Sequence, residues 1–314
     1  MATYTITGGA GFIGSHLVEE VLRRGHAVRV VDNLSTGRRE NLPAAGAVEI
    51  IVGDVSDPAV ARRAAAGATV VLHQAAIPSV PRSVEDPAAS HRANVDGTLQ
   101  ILLAARDAGV ARVVFAGSSS VYGDAAALPK REDMRPRPLS PYALQKLVGE
   151  EYCRLFTELY GLETVVTRYF NVFGPRQNPG SPYSGVISLF IDAMLAGRSP
   201  RIYGDGEQTR DFTYVDDVVN GVLLAAERPG VAGRVMNVAA GGRVSLLDVI
   251  SALQTILQTT VDPILAPPRA GDIRHSTADI SEARRLLGFE PRTPFADGLR
   301  HTIMWFREQT ATRG

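Results

Sequence analysis

Short apolar runs and longer segments of helical periodicity alternate along the first half of the chain. The apolar runs lie at residues 3–7, 27–32, 48–52, 69–73, 112–117 and 163–169. Continuous apolar strands that alternate with helices are typical of a parallel sheet that is covered on both faces. The pattern therefore predicts an α/β fold built on a doubly wound parallel sheet.

Two long helices are marked at both ends by residue types that suit those positions. One begins at Asp86–Pro87 and ends at Gly109, and the other begins at Ser140–Pro141 and ends at Gly161. A polar cap accepts a bond from a free backbone N–H, proline fits the first helical position, and glycine tolerates the backbone conformation after the last turn.

The pattern changes after Phe173. Glycine and proline recur, and the elements become shorter, apart from a helix predicted near 216–227 and a strand near 234–238. We interpret the chain as a nucleotide-binding domain of the Rossmann type and a smaller, mostly C-terminal α/β substrate lobe. The predicted division is residues 1–173 with about 213–240 for the first part, and residues 174–212 with 241–314 for the second.

Composition and charge restrict the class of protein. The 314 residues are 45% hydrophobic and 21% charged, with 33 basic and 33 acidic side chains. That balance is ordinary for a globular protein with a sizeable core, and it argues against nucleic acid or an anionic membrane as partner. No apolar run approaches the roughly 18 residues that a membrane span needs. The single cysteine, Cys153, falls in a helical pattern, and we expect a cytoplasmic protein without disulfides.

A glycine-rich turn joins the first strand to the first helix. Gly8 permits the tight turn, Gly11 lets a pyrophosphate approach the backbone, and Gly14 lets the helix pack on the strand. Free N–H groups at the start of the helix then face the anion. Strand, glycine turn and helix together indicate a dinucleotide site.

Acidic residues after the next two strands bear on the identity of the dinucleotide. Asp32 follows the second strand, where a carboxylate can bind both ribose hydroxyls of NAD and would repel the 2′-phosphate of NADP. Arg38 and Arg39 keep NADP as an alternative, but Asp32 followed by Asn33 favours NAD. Asp54 ends the third strand, where it either faces the adenine or only forms a turn.

A tyrosine and a lysine form a candidate chemical pair. Tyr142 and Lys146 lie about one turn apart at the start of the second long helix, so they share a face. The reference pKa of tyrosine is about 10, and a nearby ammonium or a positive nicotinamide ring favours the phenolate. A phenolate can take a proton from a sugar hydroxyl while hydride leaves the carbon that carries it. The pair recurs by chance in many helices, but the glycine turn and a serine cluster at a strand end give it weight.

Four segments together resemble the extended short-chain dehydrogenases/reductases, and more narrowly the UDP-sugar 4-epimerases. The segments are in that family's order and spacing, and the resemblance runs from residue 3 to about 306. They are Thr7–Gly14, Gly117–Gly123, Ser140–Lys146 and Arg168–Pro175. The resemblance implies tightly bound NAD, and we assign no metal site. It also implies a homodimer that pairs the helices near 86–108 and 141–160.

The resemblance gives separate meanings to the three serines that follow the fifth strand. It implies that Ser118 hydrogen-bonds the sugar 4-hydroxyl and assists Tyr142, with Ser119 beside it as a further catalytic candidate. Sugar 4,6-dehydratases carry an Asp-Glu pair at the positions of Ser119 and Ser120. Two ordinary hydroxyls cannot supply the acid and the base that loss of water needs, so dehydration is disfavoured.

The resemblance also implies contacts to the UDP-sugar. Asn171 would contact the diphosphate, and the backbone of Tyr183–Ile187 would cover uracil. Arg210 and Arg269 would hold the diphosphate with their planar guanidinium groups, and Asp272 would bind a ribose hydroxyl.

Two further positions bear on the identity of the sugar. Ser276 lies at a position that acts as a gate in the family, and its small side chain leaves room for an N-acetyl group. Asn178 lies where relatives that act on UDP-glucuronate tend to carry arginine, so epimerisation or decarboxylation of a uronate is disfavoured.

The complete predicted site combines the motifs with the resemblance. The catalytic residues are Tyr142, Lys146, Ser118 and Ser119. The cofactor-binding residues are Gly8, Gly11, Phe12, Ile13, Gly14, Asp32, Asn33, Ser35, Gly37, Asp54, Val55, Gln74, Ala75, Ala76, Asn94, Ser118, Tyr142, Lys146 and Tyr169. The substrate-binding residues are Ser79, Ser118, Ser120, Tyr142, Asn171, Gly185, Val186, Tyr203, Gln208, Arg210, Arg269, Asp272 and Ser276.

We therefore expect NAD-dependent 4-epimerisation of a UDP-sugar through a 4-keto intermediate. UDP-glucose and UDP-galactose are the expected pair, with UDP-GlcNAc and UDP-GalNAc as further substrates. UDP-glucuronate 4-epimerase, dehydratase and decarboxylase activities are the alternatives. A non-catalytic NAD-sensing protein is a remote alternative, because such proteins usually lack the Tyr–Lys pair.

Overall fold

The computed structural model describes residues 1–44, 46–178, 185–268 and 273–311, without the side chains of residues 310 and 311. In chain order, the strands of these residues are β1 (Thr3–Thr7), β2 (Ala27–Asp32), β3 (Glu49–Val52), β4 (Val70–His73), β5 (Arg112–Ser118), β6 (Glu163–Tyr169), β7 (Asn171–Phe173), β8 (Arg201–Tyr203), β9 (Thr209–Arg210), β10 (Phe212–Tyr214), β11 (Arg234–Val238), β12 (Val244–Ser245) and β13 (Ile264–Ala266).

Helices separate most of the strands. In chain order they are α1 (Phe12–Arg23), α2 (Pro58–Ala65), α3 (Val80–Glu85), α4 (Pro87–His91), α5 (Gly97–Asp107), α6 (Pro141–Tyr160), α7 (Val186–Leu195), α8 (Val215–Glu227), α9 (Leu246–Leu257), α10 (Ser281–Leu287) and α11 (Phe295–Ala311). A π-helical turn, Arg92–Asp96, joins α4 to α5, and 3₁₀ turns occur at Arg39–Asn41 and Ser119–Tyr122.

Seven of the described strands form one parallel sheet in the order β11-β6-β5-β4-β1-β2-β3. Helices cover both faces, since α1 and α8 share one apolar cluster and α2, α5 and α6 share another. The predicted doubly wound α/β fold is confirmed, with strand bounds within one residue of the apolar runs. The chain proceeds outward from β1 to β3 and then returns to the other side of β1 with β4. Ligands in such sheets bind beyond the carboxyl ends of the strands at this reversal.

The second half of the chain adds one strand to this sheet and forms small sheets of its own. β11 pairs in parallel with β6, so residues 234–238 return to the main sheet. Two-stranded sheets join β7 with β10, β8 with β13 and β9 with β12. The assignment of the two parts of the chain to cofactor and to substrate remains a prediction. None of the helices in the described ranges has the length and apolar character needed to span a bilayer.

The capping residues of the two long helices behave as their types predict. The carboxylate of Asp86 accepts a hydrogen bond from Ala89 N at 2.9 Å, and the hydroxyl of Ser140 accepts one from Ala143 N at 3.2 Å. Gly109 and Gly161 have φ values of 67° and 71°, which favour glycine. The first long helix contains the π-helical turn at 92–96, which its hydrophobic pattern does not predict. That turn places Asn94 in the buried interior.

Candidate active site

The glycine turn after β1 is packed too closely for side chains. Gly8 has φ of 68°, and a Cβ there would lie 2.8 Å from Ala75 N in the loop after β4. A Cβ on Gly14 would lie 2.1 Å from the carbonyl oxygen of Gly8, so only glycine lets α1 approach the turn. Phe12 and Ile13 begin α1, and their backbone lies at its N-terminal end. The turn can therefore present N–H groups of a helix start to a pyrophosphate.

The carboxylate of Asp32 connects the end of β2 to the glycine turn. It accepts hydrogen bonds from Ala10 N at 2.9 Å and from Leu34 N at 2.8 Å. Gly37 packs against it, because a Cβ there would lie 2.9 Å from both carboxylate oxygens. A carboxylate at this position borders the predicted ribose site. Its further lone pairs remain suited to accept bonds from sugar hydroxyls.

Asp54 forms the turn that follows β3. Its carboxylate accepts hydrogen bonds from Ser56 N at 2.9 Å and from Asn33 Nδ2 at 3.1 Å. Burial opposes ionisation, but the bonds from Ser56 and Asn33 lower the pKa of Asp54 below its ordinary value. Asn33 in turn accepts a bond from Ser35 N at 3.1 Å. Asp54 therefore forms the turn. Its contact with an adenine remains a prediction. Contact of the buried Val55 with the cofactor also remains a prediction.

A buried histidine supports the loop that contains Gln74, Ala75 and Ala76. The hydroxyl of Thr7 accepts bonds from Gln74 N and Ala75 N, each at 3.2 Å, and lies 2.7 Å from Nδ1 of His73. Because two N–H groups donate to the Thr7 oxygen, its own proton is directed to Nδ1. Nε2 of His73 then donates to Thr98 Oγ1 at 3.1 Å. Burial, and next the charge of Lys146, lower the pKa of His73 to about 3, so this ring is neutral.

The serines after β5 form both a turn and part of the candidate site. Ser118 caps the 3₁₀ turn, because its hydroxyl oxygen accepts bonds from Ser120 N at 3.2 Å and Ser120 Oγ at 2.9 Å. With both bonds accepted, the Ser118 proton is available to donate. The Ser118 hydroxyl lies close enough to the side chain of Tyr142 to lower the pKa of that phenol. Ser119 begins the 3₁₀ turn beside it. The structure thus brings the predicted assistant and the predicted base together.

Tyr142 lies in the first turn of α6. Burial raises the pKa of Tyr142, and the hydrogen bond with Ser118 partly opposes that rise. The backbone N–H of Tyr142 donates to Ser83 Oγ at 3.0 Å. A serine from α3 therefore satisfies one of the N–H groups that a helix start leaves without an intrahelical partner.

Lys146 lies one turn further along α6 and is almost fully buried. Its ammonium donates to the carbonyl of Ala116 at 2.9 Å and lies 4.9 Å from the centre of the Phe115 ring. Burial lowers the pKa of Lys146 to about 8, although Glu150 and Cys153 oppose the shift. The helical spacing predicts this ammonium beside the phenol, whereas its protein partners are a strand carbonyl and an aromatic face. In the protein alone, burial therefore dominates the ionisation of Tyr142.

Tyr169 and Gln74 meet at the carboxyl end of the sheet. The hydroxyl of Tyr169 donates to Gln74 Oε1 at 3.0 Å, and burial raises the pKa of Tyr169 to about 12. Nε2 of Gln74 is buried and has no protein partner among the described residues. A buried donor without a partner costs free energy unless a ligand or water accepts its proton. This amide is therefore suited to bind a polar group of a cofactor or substrate.

The described residues of the second half of the chain that are predicted to bind the UDP-sugar lie in two groups. Asn171, Gly185 and Val186 line one small cavity of about 30 Å³ with Gln177. In the other group, Thr209 accepts a bond from Ser276 N at 3.1 Å, which places Ser276 beside Arg210. Arg210 donates to the carbonyls of Thr209 and Arg274 at 2.9 and 3.2 Å.

Tyr203 and Gln208 lie next to the second group. Nε2 of Gln208 donates to the carbonyl of Tyr203 at 2.6 Å. Ser79, at the start of α3, caps that helix by accepting a bond from Arg82 N at 3.2 Å. The predicted contacts of Tyr183, Arg269 and Asp272 lie outside the described residues.

A cavity of about 340 Å³ lies elsewhere, between α6, β6 and residues 132–136. Its lining includes Arg168 and Glu150, which form a buried ion pair at 2.7 Å. None of the predicted site residues lines it. This cavity is therefore not the candidate active site.

The residues that brace the site were not identified from the sequence. They are His73, Ser83, Ser90, Thr98 and Gln145. A serine or glutamine in a helical pattern is ordinarily a solvent-facing position, so hydropathy gives no signal for these contacts. The position of Gln145, between Tyr142 and Lys146, is the one feature that could have drawn attention to it.

Residues 4–239 match the model of the NAD-dependent epimerase/dehydratase family. The chain belongs to this family. It is 41% identical to a UDP-glucose 4-epimerase of Mycolicibacterium smegmatis over 310 residues, which cover 97% of this chain and 98% of the relative.

Solved structures of family members are similar throughout. One is a UDP-N-acetylglucosamine 4-epimerase from Methanobrevibacter ruminantium in complex with UDP-N-acetylmuramic acid, with a TM-score of 0.94, 40% identity, and coverage of 98% of this chain and 99% of that one. Another is a UDP-glucose 4-epimerase of Thermus thermophilus in complex with NAD, with a TM-score of 0.89 and 37% identity. The match covers 97% of this chain and 99% of that one. The predicted resemblance to extended short-chain dehydrogenases/reductases of the epimerase group is confirmed.

Proposed function

We propose that this protein is an NAD-dependent UDP-sugar 4-epimerase that interconverts UDP-glucose with UDP-galactose and also accepts the N-acetylated pair. The observation that carries the proposal is the contact of Ser118 with Tyr142, one turn before the buried Lys146, at the carboxyl edge of the sheet. The glycine turn, Asp32 and the Gln74–Ala76 loop border the same edge and fit a dinucleotide. A bound NAD would supply the acceptor and later the donor of the C4 hydride, so the reaction would have no net redox change.

Three side chains have separate parts in this chemistry. Tyr142 takes the proton of the sugar 4-hydroxyl as hydride leaves C4, which gives the 4-keto sugar, and it returns the proton when hydride comes back to the opposite face of C4, which gives the epimer. Ser118 donates a hydrogen bond, which favours the phenolate of Tyr142. Lys146, whose pKa burial lowers to about 8, remains largely charged at neutral pH and would hold the nicotinamide ribose.

Serine at positions 119 and 120 supports epimerisation over dehydration. Ser120 already donates its hydroxyl proton to Ser118 at 2.9 Å, and an uncharged hydroxyl has no driving force to act as a general acid or base near neutral pH. Small side chains at Ser120 and Ser276 leave space for more than one sugar. Asn178 brings no cation for a uronate.

We also propose that the protein is a cytoplasmic homodimer. Leu144, Leu159 and Tyr160 of α6 are each more than half exposed, and α6 packs beside α5. Pairing of these two helices with those of a second copy would bury the exposed apolar side chains. The buried, single Cys153 is consistent with a reducing compartment.

The experiment that tests the function is incubation of the purified protein with UDP-galactose, UDP-GalNAc and UDP-glucuronate in separate reactions, followed by NMR. The expected result is an equilibrium mixture of 4-epimers from the first two, without added NAD being consumed. Loss of water or CO₂ from any substrate, with no epimer from UDP-galactose or UDP-GalNAc, would contradict the proposal. Tyr142→Phe serves as the inactive control.

A further inference from the structure

Gln145 lies on α6 between Tyr142 and Lys146, and only 4% of it is exposed. Its Oε1 accepts two hydrogen bonds, from Ser90 Oγ at 2.7 Å and from Asn94 Nδ2 at 2.9 Å. Both partners belong to the helical segment that precedes α5, including the π-helical turn. The amide therefore connects the Tyr–Lys helix to a neighbouring buried element.

The orientation of these amides is fixed by the backbone. The N–H of Ile77 can only donate, and it donates to Asn94 Oδ1 at 2.7 Å. Nδ2 of Asn94 must therefore face Gln145, and the atom of Gln145 that meets it must be oxygen. The same Asn94 Nδ2 lies 3.3 Å from the carbonyl of Ile77. Asn94 thus binds Ile77, in the loop after β4, with both polar atoms of its amide, and it binds α6 through Nδ2.

A second path leads from Asn94 to the loop that contains Gln74 and Ala75. Thr98 donates to the carbonyl of Asn94 at 2.7 Å and accepts a bond from Nε2 of His73 at 3.1 Å. His73 in turn receives the proton of Thr7, whose oxygen holds the N–H groups of Gln74 and Ala75. The predicted cofactor loop is therefore tied to Asn94 at two points, and Asn94 is tied to α6 through Gln145.

We propose that Gln145 is a positioning residue that fixes Tyr142 relative to the cofactor loop through Asn94 and Ser90. The inference rests on the proposed function. Gln145 lies three residues after Tyr142 and one before Lys146, so a rotation or shift of α6 that released its amide would move both reactive side chains. A displacement of about 1 Å at a reacting group can reduce a rate by about 100-fold. The tether supplies the rigidity that such placement needs.

The first test is Gln145→Leu, which keeps the approximate size of the side chain and removes the acceptor. The kcat for UDP-galactose is expected to fall about tenfold or more, while KM changes by less than about twofold, because substrate contacts are retained. Gln254→Leu is the matched control, since Gln254 lies on α9 and donates to Val261 O at 3.2 Å, away from the predicted site residues. The control is expected to keep the wild-type kcat. Equal kcat values for Gln145→Leu and wild type would overturn the inference.

The second test does not depend on turnover. The ionisation of Tyr142 is followed by phenolate absorbance, as the difference between titrations with and without Tyr142→Phe, in the wild-type and in the Gln145→Leu background. Release of α6 weakens the bond from Ser118, so the pKa of Tyr142 is expected to rise in Gln145→Leu. A role in stability alone would lower Tm and leave this pKa unchanged, which would refute positioning.

A milder variant covers the case in which Gln145→Leu does not fold. Ser90→Ala removes one of the two donors to Gln145, and we expect a smaller fall in kcat and a rise in the pKa of Tyr142 in the same direction. An unchanged pKa in this variant would overturn the inference.

If the wild-type protein epimerises no UDP-sugar, the proposed function has failed. The phenolate titration then still decides whether Gln145 positions Tyr142.

Discussion

The hydroxyl of Ser120 donates a hydrogen bond to the hydroxyl of Ser118, with 2.9 Å between the two oxygens. This bond and the one from Ser120 N occupy the lone pairs of Ser118, so the Ser118 proton is directed outward to Tyr142. Hydrogen bonds in such a chain polarise one another. This chain of hydrogen bonds therefore opposes part of the rise that burial causes in the pKa of Tyr142.

Ser118→Ala is expected to lower kcat by about 100-fold, because the proton transfer loses its hydrogen-bond donor. Ser120→Ala should have a smaller effect, about threefold, since a single neutral hydrogen bond contributes about 1 kcal/mol or less. Steady-state kinetics with UDP-galactose measures both. A larger effect from Ser120→Ala than from Ser118→Ala would reverse the assigned order.

Tyr142→Phe is expected to reduce kcat by about 10³-fold, within the range for removal of a general acid–base group, while bound NAD is retained. NAD should stay bound because most of the predicted cofactor contacts come from other elements. The fold should be kept because the ring of phenylalanine fills the space of the tyrosine ring. Activity and the NAD released on denaturation are measured on the same sample. Full activity in Tyr142→Phe would remove this residue from its assigned role.

Gly14→Ala is expected to destabilise the protein by about 2–3 kcal/mol and to weaken NAD binding, because its Cβ would lie 2.1 Å from the carbonyl oxygen of Gly8. Backbone atoms cannot move away as a flexible side chain can. Gly242→Ala is the control, since a Cβ at Gly242 meets no atom within 4 Å. Urea unfolding and NAD content compare the two variants. Equal stability of both would contradict the close packing of the turn.

His73 predicts a specific dependence of stability on pH. Its pKa is about 3 in the folded protein and near the ordinary 6.5 in the unfolded chain. The unfolded chain therefore binds an extra proton as pH falls below 6.5, and stability is lost by about 1.4 kcal/mol per pH unit down to pH about 3. This contribution is fully present above pH 6.5.

The measurement compares wild type with His73→Gln in urea unfolding at pH 7, 6 and 5. The variant should be less stable at pH 7, because it disturbs the bonds to Thr7 and Thr98. Its free energy of unfolding should fall less steeply as pH decreases. Parallel slopes for the two proteins would show that His73 does not titrate as the structure requires.

The proposed dimer predicts a mass near twice the 33.6 kDa of the chain by light scattering. Leu159→Glu should shift the protein to the monomer, because a charge would be buried in the helix interface. Met304→Glu on α11 is the control, since this side chain is also more than half exposed but lies on another helix. A monomeric wild type, or an equal effect of both variants, would contradict the proposed interface.

The chain itself determined the doubly wound sheet, the glycine turn and the ends of the two long helices. The sheet is predicted by apolar strands that alternate with helical segments. The helix ends are predicted by the local backbone preferences of residues such as Ser140, Pro141 and Gly161. Neither prediction needs a tertiary contact. The Tyr–Lys pair is likewise a local relationship, fixed by helical periodicity. For these features, pattern and structure agree.

Only the tertiary structure decided which groups surround that pair. Ser83 and Ser90 come from helices far earlier in the chain, and Lys146 meets Ala116 and Phe115 of β5 rather than only its helical neighbours. The π-helical turn brings Asn94 to Gln145, although neither residue signals this in a hydrophobic pattern. Burial, which no local pattern quantifies, raises the pKa of Tyr142 and lowers that of Lys146. Long-range hydrogen bonds and desolvation depend on packing, and for that reason the sequence predicted the reactive pair but not its supports.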